Sequence, residues 1–180
     1  ALRHRAFHMG KADDTGCDAD RFDAVADHVL VLDVASDALL CCFRVQVFDG
    51  ATIGQSYAAQ FYDLAPLAAY PGRMLELGRF CLHPDCHDPD VLRLAWAAVA
   101  RLVEAQGVAL LFGCCSFAGA DPTRHAPALA GLVAYVAPPR WCPLPLAPET
   151  VALIDCAGRQ TGRQALAAMP ALLRTYLGMG

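Results

Sequence analysis

The chain has 180 residues, the length of one domain, with 56% hydrophobic residues, 18% charged residues and a formal net charge of −4. This composition excludes intrinsic disorder, and the acidic balance disfavours a sequence-independent nucleic-acid binder, which needs surplus cations. No uncharged run reaches the roughly 20 residues that a helix needs to cross a bilayer. We therefore expect a single domain over residues 1–180.

The nine cysteines do not fit a disulfide framework, because their number is odd and two pairs are adjacent, Cys41-Cys42 and Cys114-Cys115. We expect reduced and mostly buried thiols. A cytoplasmic location follows from that expectation.

The first half of the chain predicts strands. Two apolar runs, 28–34 and 39–47, flank a turn at 35–38 and predict an antiparallel hairpin. Residues 61–64 suggest the entry to a short helix. Residues 74–83 predict a strand that is interrupted at Gly78.

The second half begins with the clearest helix of the sequence, capped by Asp88, opened by Pro89 and ended by Gly107. The apolar run 108–117 then predicts a buried strand, which completes a strand-helix-strand crossover. The prolines of 138–148 predict an extended arm without regular structure, and 164–177 predicts helix that restarts at Pro170. This order of elements predicts an α+β fold with a mixed sheet.

Two opposite charges, Glu76 and Arg79, lie three residues apart in the apolar strand. In a regular strand they would face opposite sides, and one charge would be buried without a partner. A bulge at Gly78 would put both on one face and free backbone N–H groups beside them. We favour a functional site here over a buried ion pair that only specifies the fold.

Other polar clusters are less distinctive. The runs Asp20-Arg21-Phe22-Asp23 and Arg3-His4-Arg5-Ala6-Phe7 are also typical of solvated segments. Arg44 differs, because it lies in a strand and needs an anionic partner.

Cys81, His83, Cys86 and His87 could ligate zinc, but no second pair of ligands lies elsewhere, so we predict no metal site. Ser116, His125 and Asp121 could be drawn as a hydrolase triad, yet no G-x-S-x-G elbow surrounds the serine. No glycine-rich phosphate loop occurs either.

With these motifs in hand, the chain resembles the acyltransferases that make ornithine lipids, a branch of the GNAT superfamily related to the acyl-homoserine lactone synthases. The resemblance runs from Leu2 to about Gly119 and resumes over Met169 to Gly178. It is carried by Leu75-Glu76-Leu77-Gly78-Arg79, by Leu111 to Phe117 followed by Asp121-Pro122, by Asp20-Arg21-Phe22-Asp23, and by the opening Leu2 to Phe7. It implies a three-layer α/β/α arrangement with a mixed, mostly antiparallel sheet and a central bulged strand.

The resemblance also assigns the site. The polar end of the family's site falls on Arg3, Phe7, Asp20, Asp23, Arg44, Glu76 and Arg79. We add Gly78 and Phe80 of the bulged strand, and Ser116 and Phe117 as lining of an acyl groove. Glu76 is expected to act as the base, Asp20 and Asp23 to attract the cationic side chain of ornithine, and Arg44 or Arg3 to meet its carboxylate.

The loop His83–Asp88 lacks the glycines that bring backbone N–H groups to a pyrophosphate, so free coenzyme A fits poorly. The resemblance implies a 3-hydroxyacyl donor on the phosphopantetheine of acyl carrier protein, with no separate cofactor, and the α-amino group of ornithine as acceptor. A lipid-making enzyme would also suit peripheral contact with the inner membrane face, although the apolar segment 126–137 lacks a basic face.

Two departures bear on the branch. The lactone synthases carry a Trp soon after the opening Phe, whereas His8-Met9-Gly10 follows here, which favours the ornithine branch. The family continues past Gly178 into a further strand, which we expect this chain to lack. The alternatives are a lactone synthase that uses S-adenosylmethionine, and a relative that only binds acyl chains or acyl carrier protein.

Overall fold

A computed structural model describes residues 2–3, 18–119, 121–153 and 162–178. Contacts divide the chain into two compact units, one of Ala1–Ala59 with Ala68–Cys114 and one of Gln60–Leu67 with Cys115–Gly180. In chain order the described strands are β1 (Asp27–Leu32), β2 (Leu39–Phe48), β3 (Tyr62–Asp63), β4 (Arg73–Leu82), β5 (Val108–Phe112) and β6 (Leu144–Pro145). The described α-helices are α1 (Pro89–Gln106), α2 (Ala126–Leu132), α3 (Gly162–Ala168) and α4 (Ala171–Leu177). Short 3-10 helices cover Arg21–Ala24, Ile53–Gln55, Ala58–Gln60, Ala65–Ala69, Pro122–His125, Val133–Tyr135 and Pro139–Trp141.

The first unit is built on a sheet in the order β1-β2-β4-β5. The β1–β2 and β2–β4 pairs are antiparallel, and β4–β5 is parallel. The prediction of an α+β fold with a mixed, mostly antiparallel sheet is therefore confirmed.

The β1–β2 hairpin is confirmed, and its turn is closed by Asp33. The Asp33 Oδ1 atom accepts hydrogen bonds from the N–H groups of Ala35 and Ser36, at 3.0 and 2.8 Å. Asp37 takes a φ of 55°, a left-handed conformation that aspartate tolerates in turns.

The predicted bulge in β4 is confirmed, but it falls one residue later than expected. Cys42 pairs with Cys81 and Arg44 pairs with Gly78, so Phe43 alone faces two residues, Arg79 and Phe80. The left-handed conformation belongs to Arg79, with φ of 51°, and not to the glycine.

The extra residue changes which face the later side chains of β4 take. Phe80 turns to the side of the sheet that α1 covers, where its ring stacks on Phe43 at 5.2 Å and on Trp96 at 5.8 Å between centroids. Arg79 turns toward the opposite face, which carries Arg44 and Glu76.

Helix α1 forms as predicted. The Asp88 side chain accepts a hydrogen bond from the N–H of Asp90 at 2.9 Å, and Pro89 occupies the first turn. Gly107 ends the helix with φ of 61°. One face of the helix buries Val91, Ala95 and Val99.

The strand after α1 is shorter than predicted. It ends at Phe112, and the segment 113–117, expected to continue it, is wrong as a buried strand, since Cys114, Cys115 and Ser116 are exposed. The last β4–β5 pair is Glu76 with Phe112, and the pairing stops there although β4 itself continues to Leu82.

In the second unit, β3 and β6 pair antiparallel, which corrects the prediction that the proline-rich segment is wholly irregular. Residues 61–64 do lead into a short 3-10 helix, Ala65–Ala69, but Tyr62–Asp63 form a strand first. Proline has no N–H to donate to a neighbouring strand. Pro145 is tolerated in β6 because the next residue, Leu146, donates its N–H to the carbonyl of Phe61 at 3.1 Å.

Helices α3 and α4 follow the prediction, with Pro170 preceding α4. Helices α2 and α3 pack closely at Gly131, where an added Cβ would lie 2.7 Å from the Cβ of Ala165. No helix of the described ranges combines the length and the apolar character that a bilayer span requires.

The described cysteines are free thiols in this structure, and most of them are not buried. Only Cys41 and Cys81 are buried among the seven described, while Cys114 and Cys115 are exposed. The expectation of mostly buried thiols is wrong. Cys114 and Cys115 follow the end of β5 at Phe112 and belong to an irregular, exposed segment rather than to the sheet.

Candidate functional site

The site lies on the face of the sheet opposite α1. Two neighbouring cross-strand pairs, Arg44 with Gly78 and Gln46 with Glu76, share this face. The charged members of both pairs are buried, with Arg44 5% and Glu76 7% exposed. A buried charge is costly unless it is paired or hydrogen-bonded, so the partners of each define the site.

Glu76 is held by the backbone. The N–H of Tyr57 donates to Oε2 at 2.9 Å, and the N–H of Ala58 donates to Oε1 at 2.7 Å. These donors lie at the start of the 3-10 helix Ala58–Gln60, where N–H groups have no partner within the helix. Burial raises the pKa of Glu76, and the two N–H groups offset this only in part. Such a carboxylate is fixed in place and basic enough to accept a proton.

Arg44 donates hydrogen bonds to two aspartates that precede β1. Its Nη1 atom lies 2.7 Å from Asp20 Oδ1 and 2.6 Å from Asp23 Oδ1. Its guanidinium also lies over the rings of Phe22 and Tyr57, with 5.5 and 5.2 Å to the centroids. The anionic partner that the sequence analysis required is therefore this pair of carboxylates.

The local fold explains why both carboxylates point to Arg44. Asp20 caps the 3-10 helix Arg21–Ala24 through the N–H of Phe22, and Asp23 accepts from the N–H of Asp20 in return. This reciprocal cap fixes the two side chains side by side. His28 ties the same segment to β1, through a contact of 3.0 Å between its Nε2 and the carbonyl of Asp23.

Arg79 extends the network to the segment before Asp20. Its Nη2 atom donates to Asp20 Oδ2 at 2.6 Å, and its Nη1 atom lies 2.9 Å from Asp18 Oδ1. Asp18 also pairs with Arg3. Three arginines thus alternate with three aspartates, counting Asp23 on Arg44, and the network is close to neutral.

The network sets the charge of its members. Burial alone would raise the pKa of Asp20, but the hydrogen bonds from Arg44 and Arg79 outweigh it and lower the pKa to about 2. For Asp23 burial is again outweighed, by the N–H of Asp20 and by Arg44, and the pKa falls. Both remain ionised, whereas Glu76 has no ion-pair partner within 4.0 Å in the described chain.

A small cleft opens above Gly78, which has no side chain to fill the space between the neighbouring residues of the two strands. An added Cβ there would meet only Arg44, whose Nε would lie 3.8 Å away. The cleft is lined by Phe22, Ala26, Arg44, Val45, Gln46, Tyr57, Glu76 and Gly78.

The structure brings Arg3, Asp20, Asp23, Arg44, Glu76, Gly78 and Arg79 together on one face. Glu76 and Arg79 do not bond each other, because the first is held by backbone N–H groups and the second by aspartates. Phe80 lies on the α1 side of the sheet, and Phe7 lies outside the described residues.

Ser116 and Phe117 belong to the second unit. Ser116 is exposed, and the ring of Phe117 lies 4.9 Å from that of His125. The triad considered from the sequence does not form, since His125 Nε2 contacts the carbonyl of Ala118 at 2.9 Å and Asp121 caps Thr123.

No three His, Cys, Asp or Glu side chains of the described residues are gathered so as to hold a metal ion. His83 and Asp85 approach to 3.8 Å in the loop after β4. The cluster Cys81 to His87 therefore does not assemble as a ligand set there.

Five further residues of the site were not predicted from the sequence: Asp18, Phe22, Gln46, Tyr57 and Ala58. Asp18 lies two residues before Asp20, and this spacing of acidic residues was a usable signal. Tyr57 and Ala58 act through backbone N–H groups, which leave no trace in side-chain chemistry. Gln46 was visible only as a neighbour of Arg44 along β2.

The family model for the acetyltransferase (GNAT) domain matches residues 2–97, which include every charged member of the site. Curated proteins named L-ornithine N(alpha)-acyltransferase are similar over 91% of this chain: that of Rhodobacter capsulatus is 34% identical, that of Agrobacterium fabrum 32% and that of Rhizobium meliloti 31%. The chain spans 65%, 59% and 58% of their respective lengths. No solved structure matches it significantly. The bulged central strand, the mixed sheet and the matched residues agree, and the chain belongs to the acetyltransferase (GNAT) domain family.

Proposed function

We propose that this protein transfers a 3-hydroxyacyl group from acyl carrier protein to the α-amino group of ornithine. The observation that carries the proposal is Glu76, a buried carboxylate held by two backbone N–H groups at a cleft in the sheet. The names of the relatives support the acceptor and the reaction, and they are carried to this chain as part of the proposal.

In this reaction the acceptor amine attacks the thioester carbonyl, so that an N–C bond forms and the C–S bond breaks. The ammonium form cannot attack, because its nitrogen has no free electron pair. Glu76 takes the first proton from the ammonium, directly or through a water molecule, and passes it to solvent. The nitrogen loses a second proton as the amide forms, and this proton goes to the departing thiolate, which leaves as the thiol. The raised pKa of Glu76 suits a base that operates near neutral pH.

The negative charge on the thioester oxygen needs donors during the attack. The bulge at Arg79 interrupts the ladder between β2 and β4 beside Gly78, and backbone N–H groups released from that ladder are the donors we propose.

The cleft offers the acceptor two polar contacts. Nε of Arg44 is the atom nearest to the missing side chain of Gly78, and we assign it to the acceptor's carboxylate. Asp20 and Asp23 already bond Arg44, so their main role is to hold that guanidinium. The α-ammonium group of the acceptor is then attracted to Glu76, the carboxylate of the cleft that has no ion-pair partner among the described residues.

The loop after β4 supports a carrier-bound donor over free coenzyme A. The N–H of Cys86 bonds the carbonyl of His83 at 2.9 Å, and the N–H of Asp85 bonds the His83 ring at 3.2 Å. Donors used within the turn are not available to a pyrophosphate. Acyl carrier protein brings its own phosphopantetheine, and no separate cofactor is proposed. The setting we propose is the cytoplasm, at the inner face of the membrane that receives the product.

The test is mass spectrometry of products after the protein is mixed with 3-hydroxyacyl carrier protein and, separately, ornithine, lysine, glycine and S-adenosylmethionine. We expect N-acyl-ornithine from the wild type and from the control Glu104→Gln, whose side chain is exposed on α1. An acyl-homoserine lactone would instead make the protein a lactone synthase. An intact thioester with every amine would overturn the proposed transfer.

A further inference from the structure

Gln46 lines the cleft, but its side chain takes no part in the hydrogen-bond network that the described residues form there. It is the direct cross-strand partner of Glu76, and in such pairs the Cβ atoms are about 4.5–5.5 Å apart. Its side chain is half-buried and lines the same cleft as Glu76 and Arg44.

The polar neighbours of Gln46 are engaged by the protein, whereas its own amide is not. Glu76 receives two backbone N–H groups, and Arg44 donates to two aspartates. Within the described residues the side-chain amide of Gln46 makes no hydrogen bond to protein. The donors and the acceptor of this amide are therefore open to a ligand that enters the cleft.

We infer that Gln46 binds the acceptor: its Oε1 atom accepts one N–H of the attacking amine while Glu76 takes the proton from another. This inference rests on the proposed function, since it names the contact that orients the same nitrogen. Gln46 exchanges no proton and forms no bond to the acyl group. It holds the nitrogen so that the electron pair released by deprotonation points at the thioester carbon.

A neutral amide also suits this position chemically. A carboxylate directly opposite Glu76 would repel its ionised form and keep it protonated near neutral pH, as in closely spaced acid pairs. An aliphatic side chain would leave the amine's N–H without a partner inside the cleft. Glutamine supplies an acceptor without either cost.

The test compares Gln46→Leu with Gln55→Leu, a control in which the glutamine is exposed and lies outside the cleft. KM for ornithine, KM for the acyl carrier protein donor and kcat are measured, with circular dichroism to confirm folding. We expect Gln46→Leu to raise KM for ornithine about tenfold or more, as for loss of a hydrogen bond inside a site, with an unchanged KM for the donor. Gln55→Leu should match the wild type.

A second variant reports on the position of Gln46 even if the leucine variant folds poorly. Gln46→Glu keeps an accepting oxygen but adds a charge opposite Glu76, so the rise of kcat/KM with pH should move to higher pH. A Gln46→Leu protein that folds and keeps KM for ornithine within twofold of wild type overturns the inference alone. A Gln46→Glu protein with an unmoved pH profile also overturns it. Absence of any product from the wild type overturns the proposed function, and the inference with it.

Discussion

Arg44 and Arg79, on adjacent strands, share the carboxylate of one residue: Arg44 Nη1 lies 2.7 Å from Asp20 Oδ1, and Arg79 Nη2 lies 2.6 Å from Asp20 Oδ2. They can do so because the bulge in β4 turns Arg79 to the face that carries Arg44. A regular strand would have sent it to the side of α1. The bulge therefore joins the segment before β1 to the middle of the sheet.

Asp20→Asn should destabilise the protein, because it leaves two arginines with a weaker acceptor between them. We expect the free energy of unfolding to fall by about 1–2 kcal/mol, an amount that allows for partial solvent screening. Urea denaturation measures it. The control is Asp90→Asn, which breaks the exposed ion pair with Arg93 on α1 and should cost less than about 1 kcal/mol.

The same carboxylate predicts a pH dependence of stability. Its pKa in the folded protein is about 2, below the ordinary value near 3.9, so its contribution is present above about pH 4 and is lost as the pH falls toward 2. The gap in unfolding free energy between the wild type and Asp20→Asn should therefore narrow over that range. A gap that stays constant down to pH 2 would contradict the shared-carboxylate interpretation.

Arg79 provides a test of backbone strain. Its φ of 51° disfavours any side chain, so Arg79→Ala and Arg79→Gly lose the same guanidinium but differ in strain. In an ordinary strand alanine is the more stable of the two. Here we expect the glycine variant to be more stable, by about 1 kcal/mol, in thermal or urea unfolding. If alanine is the more stable, the left-handed conformation at this position is wrong.

Gly78 of the cleft and Gly113, the residue after β5, should respond differently to a larger side chain. At Gly113 a Cβ would lie 2.2 Å from the carbonyl oxygen of Leu77, so Gly113→Ala must move the backbone and should lower the free energy of unfolding by about 1–3 kcal/mol, as measured by urea denaturation.

At Gly78 an added Cβ would meet no atom closer than 3.8 Å, so there is room for a side chain. Gly78→Val should fold with near-normal stability and block the cleft, which raises KM for the acceptor several-fold. Unimpaired kinetics in Gly78→Val would place the acceptor elsewhere.

The sequence predicted the parts of the fold whose signals are local. The cap at Asp88, the glycine stop at Gly107 and the apolar spacing between them specify α1 without reference to other elements. The strand after it was predicted too long, because its end is set by where its pairing with β4 stops, at Glu76 and Phe112, and no local pattern marks that point. The β3–β6 pair joins segments some eighty residues apart and contains a proline, so no local pattern indicates it.

In the site, too, the features with a local sequence signal were predicted and those that depend on distant segments were not. The spacing of Glu76 and Arg79 indicated a bulge, because the physics of an apolar strand forbids two unpaired charges on opposite faces. Asp20, one partner of Arg79, was among the predicted site residues. The other partners were not predicted, since they are the backbone N–H groups of Tyr57 and Ala58 and the carbonyl and carboxylate of Asp18. Asp20 and Asp23 were expected to attract the substrate, and their bonds to Arg44 could not be read from the sequence.

Glu76 as the base predicts how activity depends on pH. Only its ionised form accepts a proton, and burial raises its pKa, so kcat/KM should rise with a slope of one through a midpoint above the ordinary glutamate value of about 4.3. Deprotonation of the free amine adds a second rise at higher pH. Steady-state rates from pH 4 to 9 measure both.

Glu76→Gln separates the two contributions. The variant should lose the rise of kcat/KM at lower pH, which belongs to Glu76, and keep the rise at higher pH, which belongs to the amine. Its kcat at pH 7 should fall by about 100-fold or more. Glutamine also turns one amide NH₂ toward a backbone N–H, so the variant's folding must be checked by circular dichroism, with Glu104→Gln as the matched control. A folded Glu76→Gln protein that keeps turnover within about threefold of wild type, with the rise at lower pH intact, would assign the proton transfer to another group.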